Sequence, residues 1–151
     1  MGEKWTVSAG PAREIHPAGV FEAVIVDQWQ WDGTNKTTGA DISKQVFTFE
    51  TSEKMDDGRP YHHSEFVRIP EKSFNTASNL YKFAEAYDGL TSVDGNVEFD
   101  PENMIGKKFH IQIDHSNCGN YANLGKKPVA LSNKPTIEAN PEFVRRKDRD
   151  A

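Results

Sequence analysis

The sequence predicts a mainly β domain of five strands with one helix between strands 3 and 4. Several segments rich in β-branched and aromatic residues end in turn residues, as strands do. After Pro70 the apolar residues change to a helical spacing, and strict alternation returns beyond residue 107. Three strands, a helix and two strands is the order found in the five-stranded barrel of the OB-fold. A generic five-stranded α+β domain would have the same pattern.

Strand 1 is predicted over residues 19–31, which are rich in Val, Ile, Phe and Trp. Its apolar positions change parity along the segment, as expected where a strand contains a β-bulge or is buried on both faces. Strands 2 and 3 are predicted over residues 44–51 and 61–69. Asp57 and Gly58 between them predict a hairpin turn.

The helix is predicted over residues 74–87, where apolar residues recur at three- and four-residue steps. Ser73 and Ser78 are the alternative N-cap residues. Gly89 is expected at the left-handed position that follows the last turn.

The second half of the chain contains one helical turn and two more strands. Asp100 followed by proline predicts a short helical turn that ends at Gly106. Residues 108–114 alternate apolar and polar side chains and predict strand 4. Strand 5 is predicted over residues 121–131, with an interruption at residues 125–128.

The length of 151 residues fits one domain. We predict an OB-fold-like domain over residues 1–131 and an extended or disordered tail over residues 132–151. The single cysteine, Cys118, excludes an internal disulfide and is typical of a reducing compartment. Residues 1–6 lack the apolar core of a signal peptide, and no apolar run reaches the roughly 18 residues of a membrane span. We therefore expect a cytoplasmic protein with no membrane contact.

Aromatic residues near strand ends are the first candidates for a ligand surface. Trp29 and Trp31 lie two residues apart and are expected on one face of strand 1, where bases could stack on them. Closing one end of the barrel is the alternative role. Tyr61 and Tyr121 are predicted at strand starts beside loops, where OB-folds bind ligands. A framework role with a locally satisfied hydroxyl group is equally compatible with either tyrosine. Phe47 and Phe49 are expected in the core.

Basic residues are the second candidates, although the net charge of −5 disfavours contact with phosphates. The charge is uneven, because residues 103–134 contain five lysines and one acidic residue. Such segregation allows an acidic protein to present a positive face. The candidate phosphate-binding residues are Arg68, Lys107, Lys108, Lys126 and Lys127, with Lys36, Lys44 and Arg59 as additions. Pairing of strands 4 and 5 is expected to bring the two lysine pairs together.

The sequence does not predict catalysis, a cofactor or a metal site. His62 and His63 are adjacent in a strand and face opposite sides, so they are not expected to bind one metal ion. His110 and His115 have opposite parity and lack a second cysteine to join Cys118. No nucleophile elbow, phosphate-binding loop or zinc-protease motif occurs.

Short motifs in the second half resemble a family of phage-encoded OB-fold proteins that bind single-stranded DNA. The motifs are Glu71-Lys72-Ser73 with Asn79 to Phe83, Phe99 to Lys108, and Tyr121-Ala122-Asn123-Leu124. The likeness covers roughly residues 15–130 and includes a histidine near the end of strand 4, His115. It implies that the protein coats single strands during replication or recombination in the host cytoplasm. Lys107, Tyr121 and Asn123 fall on family motif positions.

The chain departs from many single-stranded DNA-binding proteins at its end, which is of mixed charge where theirs is acidic. Recruitment of partners by an acidic tail is therefore not expected. Replication or recombination proteins and a second copy of the chain, forming a homodimer, remain candidate partners. Two other classes fit the same residues. One is a non-catalytic β-barrel module that binds a protein or a carbohydrate, and the other is a phage assembly factor that does not bind nucleic acid.

Overall fold

A computed structural model describes residues 15–70, 74–117, 119 and 121–149. The elements are β1 (Gly19–Thr34), β2 (Asp41–Lys54), β3 (Pro60–Arg68), α1 (Asn79–Ala86), β4 (Leu90–Val93), β5 (Asn96–Phe99), a 3₁₀ helix (Pro101–Met104), β6 (Lys108–His115), β7 (Ala122–Leu124) and α2 (Arg146–Arg149). Five strands form an antiparallel sheet in the order β3-β2-β1-β6-β7, and β4 and β5 form a separate hairpin. The mainly β class and the helix after the third strand are confirmed.

The sheet does not close into the barrel that we expected. Its edge strands β3 and β7 approach each other, but no hydrogen-bonded ladder joins them within the described ranges. One reason is that β7 has only three residues and ends where the predicted interruption at residues 125–128 begins, with no strand described after it up to residue 131. Beyond β7 the chain stays beside β6, because the N–H of Gly125 donates to the carbonyl of Gln112 and that of Val129 to the carbonyl of His110. Pro128 between them has no N–H for a ladder.

A β-bulge explains the change of parity predicted for β1. The register of β1 on β2 shifts between Ile25 and Asp27, so Val26 is an extra residue without a partner of its own. Ile25 points into the core opposite Phe49, whereas Asp27 pairs with Thr48 on the other face.

The helix α1 is shorter than the predicted segment. Ser78 is its N-cap, and its hydroxyl oxygen accepts a hydrogen bond from the N–H of Tyr81 at 3.2 Å. The alternative cap, Ser73, lies outside the described residues. Asp88, with φ of 54°, takes the left-handed position that we expected for Gly89. Gly89 is required for space, because a Cβ there would lie 2.9 Å from the sulfur of Met104.

The core lies between the inner face of the sheet and α1. Phe47 and Phe49 are buried there, as predicted, and the ring of Phe47 stacks on Phe83 at 4.8 Å. Tyr87 is buried and donates its hydroxyl hydrogen to the carbonyl of Gly125 at 2.8 Å, and burial raises the pKa of that hydroxyl. The described part of the chain contains no helix that is long and apolar enough to cross a membrane.

Candidate nucleic-acid interface

Six side chains of β1, β2 and β3 form two adjacent cross-strand rows. The rows are Trp31-Lys44-Arg68 and Trp29-Val46-Phe66. Because residues paired across an antiparallel sheet share a face, each row lies on one side of the sheet. Phe47 alternates with these residues on β2 and is buried in the core, so both rows lie on the outer face. We call these six residues the platform.

Two aromatic rings of the platform are open to solvent. The exposed fraction is 38% for Trp31 and 48% for Phe66. The ring of Trp31 lies against the backbone of Gly33, where a Cβ would overlap the ring. The ammonium group of Lys44 lies 5.5 Å from the centre of the same ring, within the range of a cation–π interaction. The platform therefore combines supported aromatic surface with positive charge.

Phe66 is not among the residues predicted from the sequence. A signal was present, because Phe66 alternates with the buried Val67 and so has the pattern of an outward-facing strand residue. Its place beside Trp29 depends on the register of β3 on β2, which the sequence alone does not provide.

Trp29 shares the face of Trp31, as predicted, but its surroundings differ. It is half-buried, and the guanidinium group of Arg146 lies 5.2 Å from the centre of its ring. Arg146 belongs to the segment that we expected to be an extended or disordered tail. That segment, described up to residue 149, contacts the outer face beside the platform. The domain boundary at residue 131 stays a prediction.

A cleft of about 400 Å³ continues from the platform around the edge of β3. Phe66 and Arg68 line it from β3, and residues 124–126 line it from the end of β7. Lys82 of α1 and Lys126 contribute two further positive charges, and Glu65 contributes a negative one. The open gap between the edge strands is therefore a largely cationic extension of the platform.

The other predicted lysines do not form one track. Lys107 pairs with Asp88 at 3.5 Å, and Lys108 pairs with Glu138 at 3.1 Å. Lys127 is exposed in the loop after β7. Of the four lysines, only Lys126 lines the cleft beside Arg68.

The two predicted tyrosines lie apart from the platform. Tyr61 is near the start of β3, at the opposite end from Arg68, and its ring is 5.0 Å from that of His16. Tyr121 is 66% exposed in the loop before β7, where its carbonyl accepts a hydrogen bond from the N–H of Ser116. Neither tyrosine belongs to the two rows.

Residues 136–149, which we call the strap, lie on the outer face next to the platform. Four carboxylates of the domain accept hydrogen bonds from it. Glu22 accepts from the backbone N–H groups of Thr136 and Ile137. Glu50 accepts from the backbone N–H of Asn140, and Asp27 from the backbone N–H of Arg146. The guanidinium group of Arg145 donates to both Asp27 and Glu102. The ring of Phe143 also packs on His62, with 5.1 Å between centres.

These contacts shift the titration of the groups involved. Hydrogen bonds from Arg145, and a further one from Gln28, lower the pKa of Glu102 to about 2. The N–H of Thr136 lowers the pKa of Glu22. Burial lowers the pKa of His62, although the carboxylate of Glu50, 3.2 Å away, opposes this shift. The docked strap therefore favours ionised carboxylates.

No protein-family model matches the chain, and no curated protein matches it. The resemblance to phage-encoded single-stranded DNA-binding proteins thus stays a prediction. In the described parts of the chain, no three His, Cys, Asp or Glu side chains form a group that could hold a metal ion. Cys118, considered above as a ligand, lies outside them.

Proposed function

We propose that the protein binds single-stranded DNA without sequence preference, through an open sheet of the OB type. The observation that carries the proposal is the platform, on which three aromatic and two basic side chains occupy two neighbouring rows of one sheet face. OB-folds bind oligonucleotides on the face formed by their second and third strands. Four of the six platform residues come from β2 and β3.

Each part of the platform has a physical role in this proposal. Every base has a π face, so stacking on Trp31 and Phe66 is favourable and tolerates any sequence, at ~1–3 kcal/mol per base. Lys44 and Arg68 lie in the same row as Trp31 and contact the phosphates between stacked bases. Lys82 and Lys126 extend the phosphate path into the cleft. Duplex DNA does not fit this mode, because its bases are stacked on one another.

The cellular role that agrees with this binding mode is the coating of single strands during replication or recombination. It rests on the resemblance of the second half of the chain. Binding of this kind needs no catalytic group, so we propose a binding protein and not an enzyme.

The test is a titration with oligo-dT, followed by tryptophan fluorescence, at low and at high salt and against duplex DNA. We expect quenching by the single strand that is reversed by salt and is much weaker with the duplex. Phe66→Ala should weaken binding about tenfold or more, whereas Val97→Ala should not. Val97 is a matched control, because it is 46% exposed but lies on the separate β4–β5 hairpin.

Absence of oligo-dT binding at low salt would overturn the proposal. Salt-insensitive binding of a glycan that depends on Trp31 would instead favour a carbohydrate-binding module, the alternative compatible with the exposed aromatic rings.

A further inference from the structure

The outer face of the sheet has a carboxylate strip directly beside the platform. Asp27 pairs with Thr48 in the row next to that of Trp29 and Val46, and Glu50 lies two residues beyond Thr48 on β2. Residues two apart on one face of a strand are separated by about 7 Å. Uncovered carboxylates at this distance would repel phosphates bound at the platform.

The strap covers this strip and pairs Asp27 with a positive charge. Arg145 bridges Asp27 and Glu102, with its Nε 3.0 Å from Asp27 and both terminal nitrogens on Glu102. Asn140 donates its backbone N–H to Glu50 at 2.6 Å. Only 1% of Asp27 and of Glu50 is exposed. Both carboxylates are therefore withdrawn from solvent. Asp27 is paired with Arg145. Glu50, in contrast, accepts only the neutral N–H of Asn140 from the strap, and its Oε1 lies 3.2 Å from His62 without a hydrogen bond among the described residues.

The docked strap also brings new positive charge to the same border. Its helix α2 contains Arg146, Lys147 and Arg149 together with one acidic residue, Asp148. The guanidinium group of Arg146 reaches the ring of Trp29, and that of Arg149 lies 5.7 Å from the ring of Phe143. The docked strap thus places a guanidinium group directly beside Trp29.

We infer that the strap is a part of the nucleic-acid surface, docked on the domain, that replaces a carboxylate strip by a cationic border for the phosphates of a bound single strand. The inference rests on the proposed function. The strap then supports binding and does not compete with the ligand. Trp29 is held under Arg146 at the edge of the surface, while Trp31 and Phe66 remain open for stacking.

The experiment weakens the docking of the strap at Glu50 without changing any charge. Asn140→Pro removes the N–H that donates a hydrogen bond to Glu50, because proline has no backbone donor. We expect the affinity for oligo-dT to fall about tenfold. The plot of log affinity against log salt should become shallower by about 0.7 for each phosphate that the variant no longer neutralises. Asn133→Pro is the matched control, since Asn133 is exposed and precedes the strap.

A second pair of full-length variants addresses the case in which Asn140→Pro does not fold. Arg145→Gln and Lys134→Gln each remove one positive charge, but only Arg145 bridges the carboxylates. Arg145→Gln should weaken binding several-fold more than Lys134→Gln. Far-UV circular dichroism and thermal melting report whether each variant folds.

The outcomes separate the inference from the proposed function. Failure of the wild-type protein to bind oligo-dT would overturn the proposed function and this inference with it. If the wild type binds and folded Asn140→Pro binds with equal or higher affinity, the inference alone is overturned. The same holds if Arg145→Gln and Lys134→Gln bind with equal affinity. Tighter binding would identify the strap as a competitor for the ligand.

Discussion

The two ends of the outer sheet face use the same strands in opposite ways. At one end, Trp31 and Phe66 are exposed and Lys44 and Arg68 stand beside them. At the other end, Glu50 is buried under the strap, six residues along β2 from Lys44. Carboxylates that accept hydrogen bonds from another segment of the same chain indicate a docking contact. Exposed rings among cations indicate a surface that gains most from an external ligand.

The largest expected effect is at the open end. Trp31→Ala should lower the affinity for oligo-dT by about 5- to 150-fold, because a stacked base contributes ~1–3 kcal/mol. Isothermal titration calorimetry at low salt measures this. Tyr121→Ala, which removes an exposed ring outside the two rows, should have little effect. Equal losses in the two variants would show that the platform is not the preferred surface.

At the covered end, the main expected effect is on stability. Asp27→Asn weakens the hydrogen bonds that Asp27 accepts from Arg145 and Arg146. A hydrogen bond to a charged group contributes about 1.5–3 kcal/mol, so we expect the free energy of unfolding in urea to fall by about 1–3 kcal/mol. The control is Asp41→Asn at the exposed start of β2. An unchanged urea midpoint in Asp27→Asn would mean that the hydrogen bonds to Asp27 add nothing to stability.

A smaller effect is expected from the cations of the platform. Lys44→Gln and Arg68→Gln should each weaken oligo-dT binding about three- to tenfold. Each should also make the slope of log affinity against log salt concentration shallower by about 0.7. Lys54→Gln changes the same charge at the other end of β2 and should leave the salt dependence unaltered. If all three variants behave alike, the effect comes from overall charge and not from the rows.

The smallest effect is that of a pH change near neutrality on the docking of the strap. The pKa values of Glu22 and Glu102 are lower with the strap docked than for free carboxyl groups. Ionisation of these groups therefore favours docking when the pH is above 4.5, the ordinary pKa of a glutamate. This contribution is lost as the pH falls from about 4.5 toward 2. The NMR amide shifts of Thr136 and Ile137 should thus stay constant from pH 8 to 5 and change below about 4.5. A transition centred above pH 5 would contradict the assignment of these carboxylates.

Most of the sheet could be predicted from the sequence because its strands have strong local signals. The alternation in β6 and the turn at Asp57 and Gly58 are contained in a few consecutive residues. The β4–β5 hairpin was missed although Asp94 and Gly95, both with positive φ, form a favoured hairpin turn. Its strands have only four residues each and are largely exposed, so their patterning is weak.

The candidate site could be predicted only in part, for a different reason. The two-residue spacing of Trp29 and Trp31 placed both on one face, as observed. Phe66 joins them through the register between β2 and β3, which depends on pairing between distant segments. The strap had no signal, because several of its contacts come from backbone N–H groups, as at Asn140, and every residue except proline has this donor.

The bulge in β1 also affects how the chain should be aligned with other sequences. Val26 is the extra residue, so a homologue without it could keep Ile25 opposite Phe49 and Asp27 opposite Thr48. Such a homologue would differ by a one-residue gap at position 26. An ungapped comparison would match each tryptophan of one sequence with an inward-facing residue of the other. Placing that gap correctly would allow the aromatic pattern to be traced from one genome to another.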